Sequence, residues 1–578
     1  MTTSDNYLMS VALDFGTTYS GYAFSMRDDF EKDPMKIYAN TWPSGGTALT
    51  SLKTPTCLLL NKKKEFISFG YEAENMYANI VMDGEKDDYY YFYRFKMNLH
   101  NNKNITKDMV LEDVTGKPLP AIDVFKLSIQ ALVNHLLTML DKQGKVVQHN
   151  EVRWVLTVPA IWTDIAKKFM RTSAELAGIP RGNLILALEP ETASIYCQYL
   201  PIEKQSGTVP GFTMSTKGTK YMVVDIGGGT ADITVHQKAS NGQLKELHRA
   251  IGNDYGGTSV DRMFLKMLEK VFGENIMKSL KEQDPLGYLS LLREFESAKR
   301  SINEKKTGKI NLVIPFVALE NQCQVQHKKS LKSVVESSPY ANVIKVYNDK
   351  LRIDPVTITG LFKTTVDSIL SLMKEILMNN STQGISQLLL VGGFSDCHLL
   401  QDAIKDTFKD KRIIVPSEAG LAVLKGAVLF GHRPDYVQSR VMRYSYGIKT
   451  NVPFDERRHD AKHRVIMDGE VKCDNIFSLI VEKDQQVEAG TIVKREYFTP
   501  YKNQEIMNFM IYTSTNPFPS YIDDEGCELL SEPTITFPDP CEQKRWVDVE
   551  YTFGNTEIGL KAVDRVSGKE ITANLNLI

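Results

Sequence analysis

Residues able to grip an anion concentrate in two stretches of similar plan. In Tyr221 to Gln237, YMVVDIGGGTADITVHQ, an apolar run stops at Asp225, turns on Gly227, Gly228 and Gly229, and resumes as a second run that opens with Asp232. Residues without Cβ let consecutive backbone N–H groups close on a bulky anion such as phosphate. Thr230 adds a hydroxyl. A carboxylate beside phosphate is repelled unless a divalent ion or a water lies between them, which places Asp225 on the metal side. An ordinary glycine-rich hairpin would show the same short motif. Leu8 to Phe24, LMSVALDFGTTYSGYAF, repeats the plan with Asp14, Gly16, Thr17 and Thr18. Two such hairpins roughly 200 residues apart point to a duplicated fold whose halves face one cleft, with Asp14 and Asp225 near enough to need a shared divalent cation.

Other residues fall where such a cleft would use them. Lys96 follows the charged and aromatic segment DGEKDDYYYFYRF and faces phosphate if it reaches the cleft; otherwise that segment is a satellite core under a solvated loop. Glu189, Glu191 and Thr192 follow an apolar strand's carboxyl end, where open α/β sheets place ligands, so a carboxylate there orients a water or simply starts a helix at the surface. Gly256, Gly257 and Thr258 open an amphipathic helix whose first amides add phosphate contacts. Glu296, Lys299, Arg300 and Asn303 share one helical face, a pattern that solvated salt-bridge stripes also show. Gly392 and Gly393 end a buried strand and let a flat ring lie close.

The elements needed to hold these residues are legible as patterns. Ile122, Phe125, Ile129, Leu132, Val133, Leu136 and Leu140 recur at helical spacing, giving an amphipathic helix over 122–140. A strand over 151–159, a helix over 163–178 with Thr163 as N-cap, and a strand over 184–188 make a βαβ unit. Ile358 to Leu377 and Val415 to Gly431 read as helices, the second with Gly426 and Gly431 permitting tight packing on a strand. From about Tyr444 the pattern turns to short alternating strands with recurrent turn signals, as in a β-sandwich.

Composition narrows the function classes. At 578 residues the chain exceeds one hydrophobic core and divides into roughly four folding units by length alone. A net charge of −2 gives no bulk electrostatic reason to bind nucleic acid or an anionic membrane. Seven cysteines without a Cys-x-x-Cys pair indicate neither a disulfide framework nor a zinc site. No apolar run approaches the roughly 18 residues of a membrane span, and no secretory signal is legible, so a cytoplasmic location is expected.

Together these motifs resemble the 70-kilodalton heat-shock protein family of the actin-like ATPase superfamily. The resemblance rests on Asp14 to Tyr19, Asp225 to Thr230 with Asp232, Val391 to Phe394 as adenosine motif, and connecting helices around Glu189 and Gly426. Residues 92–97 and the compressed tail are similar to the divergent member-12 subfamily. The resemblance implies a two-lobed nucleotide-binding domain over 1–435, with lobes of about 1–205 and 206–435, then a β-sandwich substrate domain over 436–578 without a helical lid. It implies ATP or ADP with Mg²⁺ as cofactors. Asp14, Asp225 and Asp232 would surround the metal, mostly through water. Thr17, Thr18, Tyr19, Gly228, Gly229 and Thr230 would hold phosphates. Glu296, Lys299 and Arg300 would contact adenosine, with Asn303 on their face and Gly392, Gly393 and Phe394 beneath. Lys96 takes the catalytic lysine's place, and Glu189 and Glu191 compete to position water. The sequence departs from the family at Asp396, where an arginine is usual, at Ser417-Glu418, where Asp-Glu is usual, and at 436–444, where an acidic leucine-rich linker is usual. The expected function is an ATP-binding chaperone-like protein with slow Mg-dependent hydrolysis and protein or peptide clients on its β domain. The alternatives are a non-hydrolysing, nucleotide-gated scaffold and, against the β-rich tail, a small-molecule kinase.

Overall fold

A computed structural model describes residues 7–43, 50–102, 104–201, 205–206, 216–302, 308–467, 469–499, 503–537 and 542–574. The hairpin of Asp14, Met9–Phe15 with Tyr19–Met26, is antiparallel. Val152–Val158 and Leu184–Leu188 extend its sheet in parallel on the Met9–Phe15 side, and Tyr38–Ala39 closes the other side. The hairpin of Asp225, Lys220–Ile226 with Ala231–Lys238, is extended in the same way. Gln387–Val391 and Arg412–Pro416 run parallel on one side, and Leu244–Asn253 lies on the other. One strand order thus occurs twice, as expected of an actin-like fold. Val152–Val158 is buried at every position because helices cover such sheets on both faces.

The helices follow their apolar stripes. Ala121–Lys142 buries Val124, Phe125, Ile129, Leu132, Val133, Leu136 and Leu140, and Asp164–Leu176 starts where the Thr163 hydroxyl accepts from the Ala166 amide at 3.2 Å. Two helix readings are corrected. Val415 and Pro416 finish the strand Arg412–Pro416, and the helix begins only at Ala422, running to His432. The pattern over 358–377 is divided between Pro355–Gly360 and Lys363–Leu377. Within this helix Gly431 does pack against strands, where an added Cβ would overlap Ser10 and Val155, whereas Gly426 packs against the helix Glu189–Tyr199, where it would overlap the Thr192 carbonyl.

Two further sheets follow. The order Arg464–Met467, Glu470–Val481, Ser445–Pro453, Ile511–Ser514, Cys527–Ser531 forms one, and Thr491–Phe498, Trp546–Phe553, Gly559–Asp564, Glu570–Asn574 the other. Their inward faces share a core of Tyr446, Ile448, Val481, Val547, Val549, Tyr551, Phe553 and Leu560, the β-sandwich arrangement. Among the described residues after 436 no α-helix occurs. Where the family's acidic linker is usual stands a strand, Val437–Val441, paired in parallel with Leu244–Asn253 and antiparallel with Gln486–Glu488. The second sheet therefore runs into the β-rich region without a break. None of the six described cysteines forms a disulfide. No described helix is long and apolar enough to cross a membrane.

Candidate functional site

The two hairpin turns meet. A Cβ at Gly228 would overlap the Thr18 hydroxyl, and one at Gly229 would overlap the Thr17 hydroxyl and the Met97 sulfur. Only glycine allows this approach of one sheet's turn to the other's. Asp14, Gly16, Thr17, Thr18, Lys96, Glu189, Asp225, Gly227 to Thr230, Gly392 and Gly393 all face one cavity of about 910 Å³, within the range of ligand sites. Gly227 closes its turn with an N–H donated to the Thr230 carbonyl at 3.0 Å. The amides of Gly228 and Gly229 donate to no described residue.

The carboxylates around this cavity are unequal. Thr157 donates to Asp14 Oδ1 at 3.0 Å, and Lys53 Nζ donates to Oδ2 at 2.6 Å. Burial opposes ionisation of Asp14, but Lys53, with Lys96 and the Thr157 hydroxyl, outweighs it and holds the carboxyl below its ordinary range. Asp225 has no hydrogen-bond or ion partner among the described residues. Its burial, then the charges of Glu189, Asp232 and Asp14, push it well above that range. Lys96 Nζ lies 2.8 Å from Glu189 Oε1 and 5.1 Å from the Trp162 ring centroid. Burial nonetheless raises Glu189 despite that ammonium group. The aromatic segment ahead of Lys96 also forms a satellite core, with Tyr91 among Cys57, Leu59, Tyr77 and Ile80. The stretch thus packs as a satellite core while Lys96, just after it, lines the cavity.

Asp232 departs from expectation. It opposes Asp225 across the hairpin but lies behind the cavity wall, 1% exposed. Burial and Glu189 raise it to about 7, although the Ala160 and Ile161 amides are near enough to pull the other way. Neither of its oxygens has a well-aligned donor.

The Gly256 to Thr258 amides also need correction. They donate to the carbonyls of Gly229, Gly227 and Gly228 at 3.2, 3.0 and 2.8 Å, so they brace the glycine turn rather than offer themselves to an anion. The helical face of Glu296, Lys299 and Arg300 is a salt-bridge stripe that is solvated only at Arg300, which is 64% exposed. Lys299 is 5% exposed, bonded to the Gly257 carbonyl at 3.1 Å and to Asp261 at 2.7 Å. Arg300 pairs with Glu296 at 3.1 Å and lies over the Tyr19 ring. With Thr18, Gly393, Phe394 and Asp396 these groups enclose a smaller cavity of about 140 Å³ beside the first. Asn303 lies outside the described residues.

Glu189 and Glu191 separate by direction. Glu189 faces the cavity, whereas Glu191 is buried against Arg440 of the strand Val437–Val441, with both oxygens accepting at 2.7 Å. Arg440 also donates to the Gly554 carbonyl at 2.6 Å. Sequence reasoning missed Lys53 and Arg440. Neither sits in a periodic pattern or a glycine motif, so no local signal marks them.

The model of the Hsp70 protein family matches residues 95–520. The chain is 34% identical to human heat shock 70 kDa protein 12A, over 99% of this chain and 92% of that protein. It is 32% identical to human heat shock 70 kDa protein 12B, over 99% of this chain and 91% of that one. A chaperone protein DnaK 3 from Synechococcus is 26% identical over 51% of this chain and 41% of its own length.

Proposed function

Because the chain belongs to the Hsp70 family, we propose that it is an ATP-binding, chaperone-like protein. Mg-nucleotide draws two lobes, about 1–205 and 206–435, together, and the β-sandwich over 436–578 presents a face to protein or peptide clients. The observation that carries this reading is the meeting of the Thr17-Thr18 and Gly228-Gly229 turns across one cavity. The residues present fit a metal-bound triphosphate. Among the described residues Asp225 has no partner, and the Gly228 and Gly229 amides are free to donate. The ion, when bound, neutralises phosphate charge and acidifies its waters. Asp225, with Asp14 beside it, would hold that ion mostly through water. Thr17, Thr18 and Thr230 donate to phosphate oxygens, and Lys96 offsets developing charge. Glu189 keeps Oε1 on Lys96 and offers Oε2 to take the proton of an attacking water. Glu296, Lys299 and Arg300 line the adenosine end.

The β-sandwich is tied to both lobes, which supports coupling between cleft and client face. On the first lobe Arg440 joins Glu191 to the Gly554 carbonyl, Tyr446 donates to Asp164 at 2.7 Å and Arg171 pairs with Glu557, and on the second the Val441 N–H donates to Glu246 at 2.8 Å. Asp396 favours a second reading, a nucleotide-gated scaffold that does not hydrolyse, because a carboxylate at the cavity wall stands where the family carries an arginine.

Thermal melting and phosphate release with ATP, ADP and GTP separate these readings. At a nucleotide concentration about 100 times Kd, folding gains about 2.7 kcal/mol and Tm rises. Asp225→Asn loses the Mg-dependent part of the rise. Phosphate released over hours and abolished by Asp14→Asn assigns hydrolysis, release at background favours the scaffold, and no Tm rise with any nucleotide removes both.

A further inference from the structure

The two halves share a strand plan but differ in one cation. Asp14 has Lys53 on one oxygen and Thr157 on the other, while Asp225, its counterpart, has no such partner among the described residues. Lys53 is not a surface lysine that has folded inward by chance of side-chain rotation. It directly precedes Thr54–Pro55, which pairs with Tyr19 and Ser20 of the first hairpin. Its own chain lies so close over Gly21 that a Cβ there would come within 3.2 Å of Lys53 Cγ and of the Leu52 carbonyl. The side chain is 19% exposed, and it lines the same cavity as Thr17, Gly228 and Asp225. An ammonium group in that place faces whatever anion enters between the turns.

We propose that Lys53 is a resident cation of the phosphate site: it occupies the Asp14 side where a divalent ion would otherwise be shared, contacts the terminal phosphates of a bound nucleotide, and leaves the metal to Asp225. This rests on the nucleotide reading above. Two lysines, Lys53 and Lys96, then stand against phosphate from one lobe, and the divalent ion is needed only on the other. Nucleotide binding consequently survives removal of Mg²⁺ to a degree that a site with two bare aspartates would not allow, since anion and carboxylates would repel. A purely structural Lys53, present only to neutralise a buried Asp14, would change stability without changing the metal requirement.

The test is the Tm of the full chain, each variant measured against its own unliganded value, with ATP plus Mg²⁺ and with ATP plus EDTA. In the wild type, ATP with EDTA retains roughly half or more of the Mg–ATP rise. Lys53→Met loses the rise in EDTA and keeps a smaller rise with Mg–ATP, and Lys53→Arg restores both. Should Lys53→Met leave Asp14 too poorly neutralised to fold, Asp14→Asn/Lys53→Met removes both charges together and also shows no rise in EDTA. A rise in EDTA that persists in the Lys53→Met or double variant overturns the proposal, as does its absence from the wild type while Mg–ATP still stabilises. Absence of any rise with Mg–ATP in the wild type overturns the nucleotide reading itself.

Discussion

Asp14 and Asp225 hold equivalent places in their hairpins, yet their surroundings drive their charges in opposite directions, because Lys53 stands on one and acidic neighbours crowd the other. The aspartates were legible from their position between apolar run and glycine. The lysine was not, since it reaches Asp14 from 39 positions away. A second buried acid carries a pH prediction. Glu246 accepts from the Val441 N–H at 2.8 Å, opposes the neutral His236 on the next strand, and faces Glu191, Arg440 and Lys167. Burial first, then Glu191, raises it from 4.5 to about 8. Below 4.5 it is protonated folded and unfolded alike. Between 4.5 and about 8 only the folded form keeps the proton. Its stabilisation is therefore lost as pH rises, at about 1.4 kcal/mol per pH unit. Glu246→Gln removes that slope, so its advantage over the wild type grows from pH 5 to pH 8 in denaturant titrations. Parallel curves would show that the buried acid titrates normally.

At the scale of elements, hairpins and helices followed from local periodicity, and the errors fell where a short apolar stretch fits either type. Val415 to Gly431 read as one helix because its apolar residues run on, but Ile413, Ile414 and Val415 complete a buried parallel strand whose partner is Gln387–Val391. Gly426 offers a test of the packing between the connecting helices. A glycine inside a helix ordinarily gains about 0.8–1.0 kcal/mol on change to alanine. Here the new Cβ overlaps the Thr192 carbonyl, so Gly426→Ala costs stability instead, by about 1–3 kcal/mol. The measured sign decides whether the helices Glu189–Tyr199 and Ala422–His432 are in contact in solution.

At the scale of the molecule, the strand Val437–Val441 joins the second sheet to the β-sandwich, and Arg440 ties it to the helix that also carries Glu189. Arg440→Met leaves Glu191 buried without its partner and costs about 3–5 kcal/mol. Adding Glu191→Gln recovers most of that Tm loss while leaving the β-sandwich open to protease at the 436–444 segment. A double variant as protease-resistant as the wild type would show that the ion pair does not hold the two parts together. By itself the sequence determined the twice-used acid-glycine-threonine hairpin, the helical stripes, the β-rich tail and the family, because each is written in residues close together along the chain. Only the tertiary structure decided that Glu189 turns to the cavity and Glu191 away, that the Gly256 to Thr258 amides are spent on bracing, and that Lys53 rests on Asp14. Those outcomes depend on which distant groups share a buried space, where desolvation makes an ionisable group either meet a counter-charge or hold its neutral form, regardless of its distance along the chain.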